Sequence, residues 1–321
     1  MSPVHFAKRL LASAPVHNTV GALLRRPGVQ VLMYHRIGSL DPEFSGLDLD
    51  VFRDHIRWLS ANTQLIRPEQ LSDPALYART RKPAVLLTFD DGFRDFFVNA
   101  YPVLAEHEAP ALVFLPTEAV QEGGTIWPEA LLCRLARARK AGAFETLLNG
   151  LQPNHSVLLQ DHAHAPTGAL KTVSNDARLA FIDDVVTTLT TLGINTHIDR
   201  QMMTWDEIAS TRPLVDYGAH THSHPIVSRM DKDTFARDMA RCCELLEQGL
   251  GARPTRFAWP NGRREDFSAT ALETLHGLGF EQVFTTVEGV NNEPHSTSAI
   301  RRLPTSTPDA ASLNALMLRA S

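Results

Sequence analysis

Residues 84–92 read Ala-Val-Leu-Leu-Thr-Phe-Asp-Asp-Gly, an apolar run that ends in two adjacent carboxylates and a glycine. A short continuous apolar run bounded by turn residues is typical of a strand that is buried on both faces, as in a parallel sheet. Because α/β folds place their chemistry at the carboxyl ends of such strands, Asp90 and Asp91 are candidate functional residues. The structural alternative is an Asp-Gly turn that caps the following helix.

Strand-like and helix-like segments alternate on both sides of this run. Besides residues 84–89, the segments that we predict as strands are Val29–Tyr34, Ala111–Leu115, Val215–His220, Thr255–Trp259, Glu281–Thr286 and Ala299–Leu303. The predicted helices between them are Val51–Ala61, Phe96–His107, Thr204–Ser210, Asp233–Gln248 and Ser268–His276. Regular alternation of strand and helix predicts an α/β protein with a parallel sheet, closed or wound by right-handed crossovers.

One interval lacks a predicted core strand. About 100 residues separate the third predicted strand from the fourth, far more than an ordinary crossover needs, so this segment must form structure of its own. We predict helices over Leu131–Leu148 and Ala177–Leu192 and a loop over Gln152–Asn175. Residues 127–203 are therefore assigned to a helical insertion packed on the sheet.

The composition is that of a globular protein and excludes some functions. The chain has 321 residues, 43% of them hydrophobic, and its 31 basic and 36 acidic side chains give a net charge of −5. A charge of that sign does not attract nucleic acid, so we expect no nucleic-acid partner. No apolar stretch reaches the ~20 residues of a transmembrane helix. Three cysteines, Cys133, Cys242 and Cys243, form no even disulfide framework and are predicted to be free thiols.

Residues 1–28 are predicted to form a basic, amphipathic arm before the first strand. Up to Leu40 the chain carries five basic residues and no acidic one. Such an arm either caps the fold with its apolar face or makes peripheral contact with an anionic membrane surface. Its apolar run is too short for the core of a secretory signal, so we expect a cytoplasmic location, with contact to the inner face of the membrane as the second interpretation of the arm.

A histidine-rich segment lies at the end of the fourth predicted strand. Residues 218–225 read Gly-Ala-His-Thr-His-Ser-His-Pro. His220 and His224 can converge on one ion if the strand end turns helically, whereas His222 would point elsewhere. Two imidazoles and one carboxylate form the ligand set of a hydrolytic Zn²⁺ site with open positions. Asp91 would supply that carboxylate and leave Asp90 free as a general base.

Three short motifs occur in a recognisable order. They are Thr-Phe-Asp-Asp-Gly at residues 88–92, His-x-x-x-His-Pro at residues 220–225 and Phe-Ala-Trp-Pro-Asn-Gly at residues 257–262. In this order they resemble the motifs of the polysaccharide deacetylases with the NodB homology domain, carbohydrate esterase family 4. The resemblance covers residues 29–304 and matches the insertion only loosely. It implies a distorted (β/α)7 barrel, a divalent metal and removal of N-acetyl groups from amino sugars.

The resemblance assigns roles to individual residues. Asp90 matches the family's catalytic base, while Asp91, His220 and His224 match its metal ligands. The implied cofactor is one divalent metal, with Zn²⁺ expected before Co²⁺, Ni²⁺ or Mn²⁺. Asn261 stands where the family holds the oxyanion with a backbone N–H, a donor that survives replacement of the side chain.

Some supporting residues of the family are missing. Ala258 stands where many members have an arginine that positions the base, and the Asp-x-x-x-Trp motif has no counterpart near residues 284–287. The late Leu-x-His, whose histidine protonates the leaving amine, is also not evident; His276 and His295 are the only histidines late enough. The proton would therefore come from one of these histidines or from Asp90 itself, and we favour Asp90.

Two further residues are candidate substrate contacts. His35 follows the first predicted strand and would line the mouth of the site, and Trp259 would stack on a sugar ring. The structural alternatives are a hydrogen-bonded histidine and a core aromatic residue. His162 and His164 lie in a predicted loop, and without a carboxylate partner they make a poor metal site.

The sequence thus predicts a metal-dependent N-deacetylase within residues 29–321. Its substrate would be an N-acetylated amino sugar in a polysaccharide, an oligosaccharide or a lipid- or nucleotide-linked glycan precursor. A metal-dependent amidase that acts on a non-sugar amide would keep the same metal ligands. An inactive glycan-binding scaffold would explain the missing arginine, but it has no need for the intact set of four site residues.

Overall fold

A ring of parallel strands forms the centre of the protein. The computed structural model describes residues 27–78, 82–162, 164–294 and 299–320. The strands are β1 (Val29–Tyr34), β2 (Gln64–Leu65), β3 (Ala84–Phe89), β4 (Ala111–Leu115), β5 (Val215–Ala219), β6 (Arg256–Ala258), β7 (Gln282–Phe284) and β8 (Leu303–Pro304). Their order is β7-β6-β5-β4-β3-β1-β8, with β2 beside the first residues of β3. All pairings between these strands are parallel, as the sequence predicts.

The seam of the ring lies between β7 and β1. Ile300 donates its N–H to Val283 of β7 and accepts from the N–H of Thr285, both at 2.9 Å. Three residues later, Leu303 pairs with Leu32 of β1. One segment, residues 300–304, therefore bridges the two edges of the sheet by short contacts. The result is the expected distorted (β/α) barrel.

Helices surround the strands. In chain order they are α1 (Leu49–Asn62), α2 (Tyr101–Glu106), α3 (Thr117–Glu122), α4 (Trp127–Lys140), α5 (Phe144–Gly150), α6 (Pro153–Asp161), α7 (Pro166–Leu170), α8 (Asn175–Thr191), α9 (Trp205–Thr211), α10 (Lys232–Leu250), α11 (Ala269–Gly277) and α12 (Ala310–Ala320). A capping box begins α9, where Thr204 accepts from the N–H of Glu207 and the Glu207 side chain accepts from the N–H of Thr204. Among the described helices, none combines the length and the hydropathy needed to cross a membrane.

The strands separate two layers of apolar side chains. Along each buried strand, alternate residues face opposite sides. Leu86 of β3 and Phe114 of β4 belong to the cluster inside the ring, while Leu87 and Val113 pack outward against the helices. Because Leu86, Thr88 and Asp90 have the same parity along β3, this alternation directs Asp90 toward the interior at the end of the strand.

The helical insertion is confirmed, but its internal boundaries differ from the prediction. The predicted helix Leu131–Leu148 is two helices, α4 and α5, because the chain turns at Gly142 with a φ of 67°. The predicted loop Gln152–Asn175 contains α6 and α7, each with a proline at its first turn, where the missing N–H costs no helical hydrogen bond. Pro153 and Pro166 therefore start helices inside the predicted loop.

A buried ion cluster fastens the insertion to the barrel. Arg36, which follows β1, donates from Nε and Nη2 to Glu129 of α4 at 2.9 and 2.6 Å. Its Nη1 donates to Asp95 at 2.7 Å, and its guanidinium lies 3.8 Å from the centre of the Phe93 ring. Because the Arg36 side chain is 5% exposed, these contacts are protected from solvent.

Three other elements differ from the prediction. The predicted strand Ala299–Leu303 is only the Ile300 bridge and β8, and β2 was not predicted. The predicted helix Phe96–His107 begins as a π-helical turn, Phe96–Ala100, before α2. Pro102 explains this wide turn, since it has no N–H to donate to the preceding turn. The predicted arm falls almost entirely on residues 1–26, which are outside the described residues.

Candidate metal centre

Three buried side chains converge at the carboxyl ends of β3 and β5. The Oδ1 atom of Asp91 lies 3.4 Å from Nε2 of His220 and 3.2 Å from Nε2 of His224. One ligand-type atom of each residue lies within 4.8 Å of the others. Asp91, His220 and His224, which the sequence singled out, therefore form one compact cluster.

Hydrogen bonds orient the His220 imidazole and the backbone of His224. His220 donates from Nδ1 to the carbonyl of Ala258 at 2.7 Å, which leaves the lone pair of Nε2 directed at Asp91. His224 donates its backbone N–H to Oγ1 of Thr221 at 3.1 Å. Asp91, Thr221 and His224 all have positive φ, at 73°, 67° and 52°. Non-glycine residues rarely adopt such φ values, so the surrounding structure holds the cluster in a strained geometry.

The donor set fits a divalent metal. Oδ1 of Asp91 is buried and has no hydrogen-bond partner among the described residues, although two imidazole nitrogens face it. Burial acts to raise the pKa of Asp91, but the two imidazoles outweigh it and hold that pKa well below its usual value. An ionised carboxylate with two imidazole lone pairs is a common ligand set for Zn²⁺ and similar ions.

Asp90 lies beside this cluster in a different environment. Arg302 donates from Nη1 and Nη2 to the two oxygens of Asp90 at 2.6 and 2.8 Å. The Nε of Arg302 donates to the carbonyl of Thr285 at 2.8 Å, and the whole side chain is buried. Burial acts to raise the pKa of Asp90, but the Arg302 guanidinium outweighs it and holds the pKa below its usual value. Asp90 is thus an ionised carboxylate held by a bidentate partner.

Arg302 is the site residue that the sequence analysis missed. The prediction noted only that Ala258 leaves no arginine at the family's usual place. A signal was available, because Arg302 interrupts the strand-like segment 299–303, and an arginine in a buried strand needs an acidic partner. The sequence gives no direct indication that this partner is Asp90, 212 positions earlier.

Two predicted substrate contacts border the site. His35 is half exposed and its Nε2 lies 3.9 Å from Oδ2 of Asp90. It lines a cavity of about 680 Å³, together with Asp91 and residues of the chain between β1 and α1. Asn261 follows β6, and its carbonyl accepts from Oγ1 of Thr286 at 2.8 Å. No hydrogen-bond acceptor for the N–H of Asn261 is found in the described parts of the chain.

Trp259 does not reach the substrate side, which corrects the prediction of a sugar contact. The residue is 1% exposed. Its ring stacks on Phe267 and Phe235, with centroids 5.5 and 6.2 Å away, and meets Phe257 edge-on at 4.8 Å. Trp259 is therefore a core aromatic residue.

The other histidines that the sequence analysis considered lie away from the Asp91 cluster wherever the structure describes them. His222 points elsewhere, as predicted, and its Nδ1 lies 2.9 Å from Oγ1 of Thr117. His276 is exposed in the last turn of α11, and His162 and His164 are exposed in the insertion. His295 is outside the described residues.

The sequence profile of the polysaccharide deacetylases identifies the family. It matches residues 77–147 and 182–283, which together make up more than half of the chain. The unmatched interval between them falls inside the helical insertion. The chain belongs to the polysaccharide deacetylase family.

Two bacterial relatives illustrate the likeness in sequence. YxkH of Bacillus subtilis (strain 168), which is named as a polysaccharide deacetylase, is 37% identical over 93 residues, or 26% of this chain and 30% of YxkH. The poly-beta-1,6-N-acetyl-D-glucosamine N-deacetylase of Escherichia coli O157:H7 is 23% identical over 95% of this chain and 40% of the relative. The chain therefore matches at most 40% of the length of either relative.

Two solved structures share the fold. The Streptococcus pyogenes deacetylase PplD in complex with acetate superposes with a TM-score of 0.60 at 18% identity, over 91% of this chain and 99% of PplD. IcaB from Ammonifex degensii gives a TM-score of 0.57 at 21% identity, over 92% of this chain and 98% of IcaB. The barrel architecture is thus common to all three chains.

Proposed function

We propose that the protein is a metal-dependent N-deacetylase that hydrolyses the acetamide of N-acetylated amino sugars. The observation that carries this proposal is the division of labour between Asp90 and Asp91. Asp91 faces two imidazoles, whereas Asp90 pairs with Arg302 and remains beside the cluster. Two adjacent carboxylates with separate partners suit one metal ligand and one general base.

Asp91, His220 and His224 would hold the metal, and Zn²⁺ is the expected ion, with Co²⁺, Ni²⁺ and Mn²⁺ as alternatives. When bound, the metal polarises the acetamide carbonyl and lowers the pKa of a water molecule. The Nδ1 hydrogen bond of His220 to the carbonyl of Ala258 orients that imidazole for binding.

The remaining steps are assigned to residues of the chain. Asp90 accepts a proton from the attacking water, and its hydrogen bonds to Arg302 keep both oxygens in a fixed plane. The N–H of Asn261 donates to the developing oxyanion. Asp90 then returns the proton to the leaving amine, which is the favoured route. Delivery of a proton by His35, whose Nε2 is 3.9 Å from Oδ2 of Asp90, is the competing route.

The substrate class is inferred as an N-acetylated glycan. The Escherichia coli relative is named for a polymer of N-acetyl-D-glucosamine, and the cavity beside His35 opens to solvent, where a chain of sugars can enter. An oligosaccharide or a lipid- or nucleotide-linked precursor presents the same acetamide group. The test substrates below separate these possibilities.

Acetate release tests the proposal. Purified protein loaded with Zn²⁺ or Co²⁺ is incubated with β-1,6-linked and β-1,4-linked N-acetylglucosamine oligomers, a nucleotide-linked N-acetyl sugar and small linear and cyclic amides. We expect release from at least one sugar substrate, and loss of that release in the matched variant Asp90→Asn. Hydrolysis of the amides alone would identify an amidase instead. Full metal loading without turnover of any of these substrates would favour the alternative of an inactive glycan-binding protein.

A further inference from the structure

A second cavity lies between the helical insertion and the barrel. It has a volume of about 280 Å³ and is named here the insertion cavity. Its charged residues are divided between the two sides: the insertion contributes Arg134 and Arg178, and α3 of the barrel contributes Glu118 and Glu122. The insertion side carries no carboxylate and the barrel side carries no lysine or arginine. The cavity thus has one cationic and one anionic wall.

Arg178, on α8, is a buried cation for which the described part of the chain supplies no acidic partner. The residue is 2% exposed, and neither its Nε nor its Nη1 has a hydrogen-bond partner among the described residues. Its Nη2 donates to Oδ1 of Asn175, and the guanidinium lies 4.9 Å from the centre of the Trp127 ring. Burial lowers the pKa of Arg178 to about 10. An unpaired charge in such a place is costly, so Arg178 is equipped for an anion from outside the chain.

The opposite wall carries two carboxylates, of which Glu118 is partly buried and Glu122 is exposed. No lysine or arginine forms an ion pair with Glu118 or Glu122 in the parts of the chain that the structure describes. Burial, together with the carboxylates of Glu122 and Asp238, raises the pKa of Glu118. Because the cavity separates these glutamates from Arg178, the two walls do not neutralise each other.

We propose that the insertion cavity binds a small molecule that carries both a carboxylate and an ammonium group. The carboxylate binds the free N–H groups of Arg178, and the ammonium lies toward Glu118 and Glu122. A simple anion would satisfy Arg178 but would face the two glutamates across the cavity. The volume lies just below the usual range for drug-sized ligands, which suits a molecule of amino-acid size better than a glycan.

Direct binding measurements test this proposal. The probes are a series of straight-chain ω-amino carboxylic acids from glycine upward, with propionate and propylamine as controls that each lack one charge. Titration calorimetry on the full chain should show saturable binding of at least one amino acid, at least about tenfold tighter than either control, since a charged hydrogen bond contributes that much or more. Absence of binding across the series would overturn the proposal, and so would equal binding of propionate.

Variants locate the site. Arg178→Met should abolish binding of the amino acid, while Arg237→Met, an exposed arginine on α10, should leave it unchanged. Replacing both glutamates, Glu118→Gln with Glu122→Gln, should weaken binding of the amino acid at least about tenfold. The same replacement should not weaken binding of propionate, because it removes two carboxylates that repel the anion. The melting temperature of unliganded Arg178→Met should equal or exceed that of the wild type, because an unpaired buried charge is removed. Unchanged binding in Arg178→Met would rule out this cavity. If Arg178→Met does not fold, the double variant Glu118→Gln with Glu122→Gln and the series of probes still test the proposal.

Discussion

Arg302 gives the proposed base its charge partner from the far end of the sequence. Arg302→Met would leave Asp90 buried without compensation, so we expect a loss of about 3–5 kcal/mol in the free energy of unfolding and a large fall in turnover. Adding Asp90→Asn should restore most of the stability but none of the turnover. Chemical denaturation and acetate release measure both effects.

Arg301, the adjacent arginine, provides the matched control for the Arg302 variants. Arg301 is exposed, and Arg301→Met should change stability by no more than about 0.5 kcal/mol. If Arg302→Met behaves like Arg301→Met in both assays, the ion pair with Asp90 has no role in the site.

The proposed metal ligands and the proposed base can be distinguished by whether a variant loses bound metal or only turnover. Asp91→Ala and His224→Ala should lose bound metal and activity together, because each removes one of three protein ligands. Asp90→Asn should keep the metal and lose turnover, since it removes a base and no ligand. Metal content by elemental analysis is measured alongside acetate release. Stoichiometric metal at normal affinity in either ligand variant contradicts the assignment.

Proton delivery to the amine separates His35 from Asp90. If His35 donates the proton, His35→Ala should reduce turnover by about 10²–10⁴-fold without loss of metal. His276→Ala, on the exposed end of α11, is the control and should be near the wild type. A near-normal rate for His35→Ala would support the return of the proton from Asp90.

Local sequence predicted the cluster of Asp91, His220 and His224 but not its surroundings. The ends of β3 and β5 bring Asp91 and His220 together. The helical turn expected to bring in His224 is absent, and bends with positive φ at Thr221 and His224 turn the chain instead. Arg302 reaches Asp90 only through the closure of the ring, which no local pattern encodes. Trp259 was misassigned because a strand-end aromatic residue can face either the cavity or the helices, and that choice depends on how Phe235 and Phe267 pack.

At the level of elements, the Arg36 cluster ties α4 to the strand end that carries His35. Glu129→Ala removes the contact from the insertion but leaves Arg36 paired with Asp95. We expect a loss of about 1–3 kcal/mol in unfolding free energy and faster hydrogen exchange within α4. Glu145→Ala, exposed on α5, is the matched control and should show neither effect. Unaltered exchange in α4 would show that the apolar contacts alone hold the insertion.

The boundaries of a strand or helix could be predicted where the residues of that element and its flanking turns define it. β1, β3 and β4 match the predicted bounds, because long apolar runs between turn residues identify buried strands. β2 and β8 contain two residues each, which is too short for any periodicity. Their pairing depends on the neighbouring strands. The prolines of α6 and α7 show the same limit, since a proline favours both a loop and a helix start.

At the scale of the whole molecule, membrane contact by residues 1–28 stays a prediction, as does the cytoplasmic location. Charge reversal of Lys8, Arg9, Arg25 and Arg26 should release the protein from anionic liposomes at low salt and leave turnover of a soluble substrate unchanged. Cosedimentation at two salt concentrations measures this. If the wild-type protein does not bind liposomes at low salt, the arm has no membrane role and its interpretation as a cap of the fold is favoured.

The segment that closes the ring is also the segment that carries Arg302. While the chain is being synthesised, residues 1–299 include β1 to β7 and all three proposed metal ligands, yet Asp90 still lacks its counter-ion. An intermediate that is open at this seam must keep Asp90 hydrated or protonated, because an uncompensated carboxylate does not bury readily. The proposed general base therefore gains its counter-ion in the same event that completes the barrel, and we expect a partly assembled protein to be inactive.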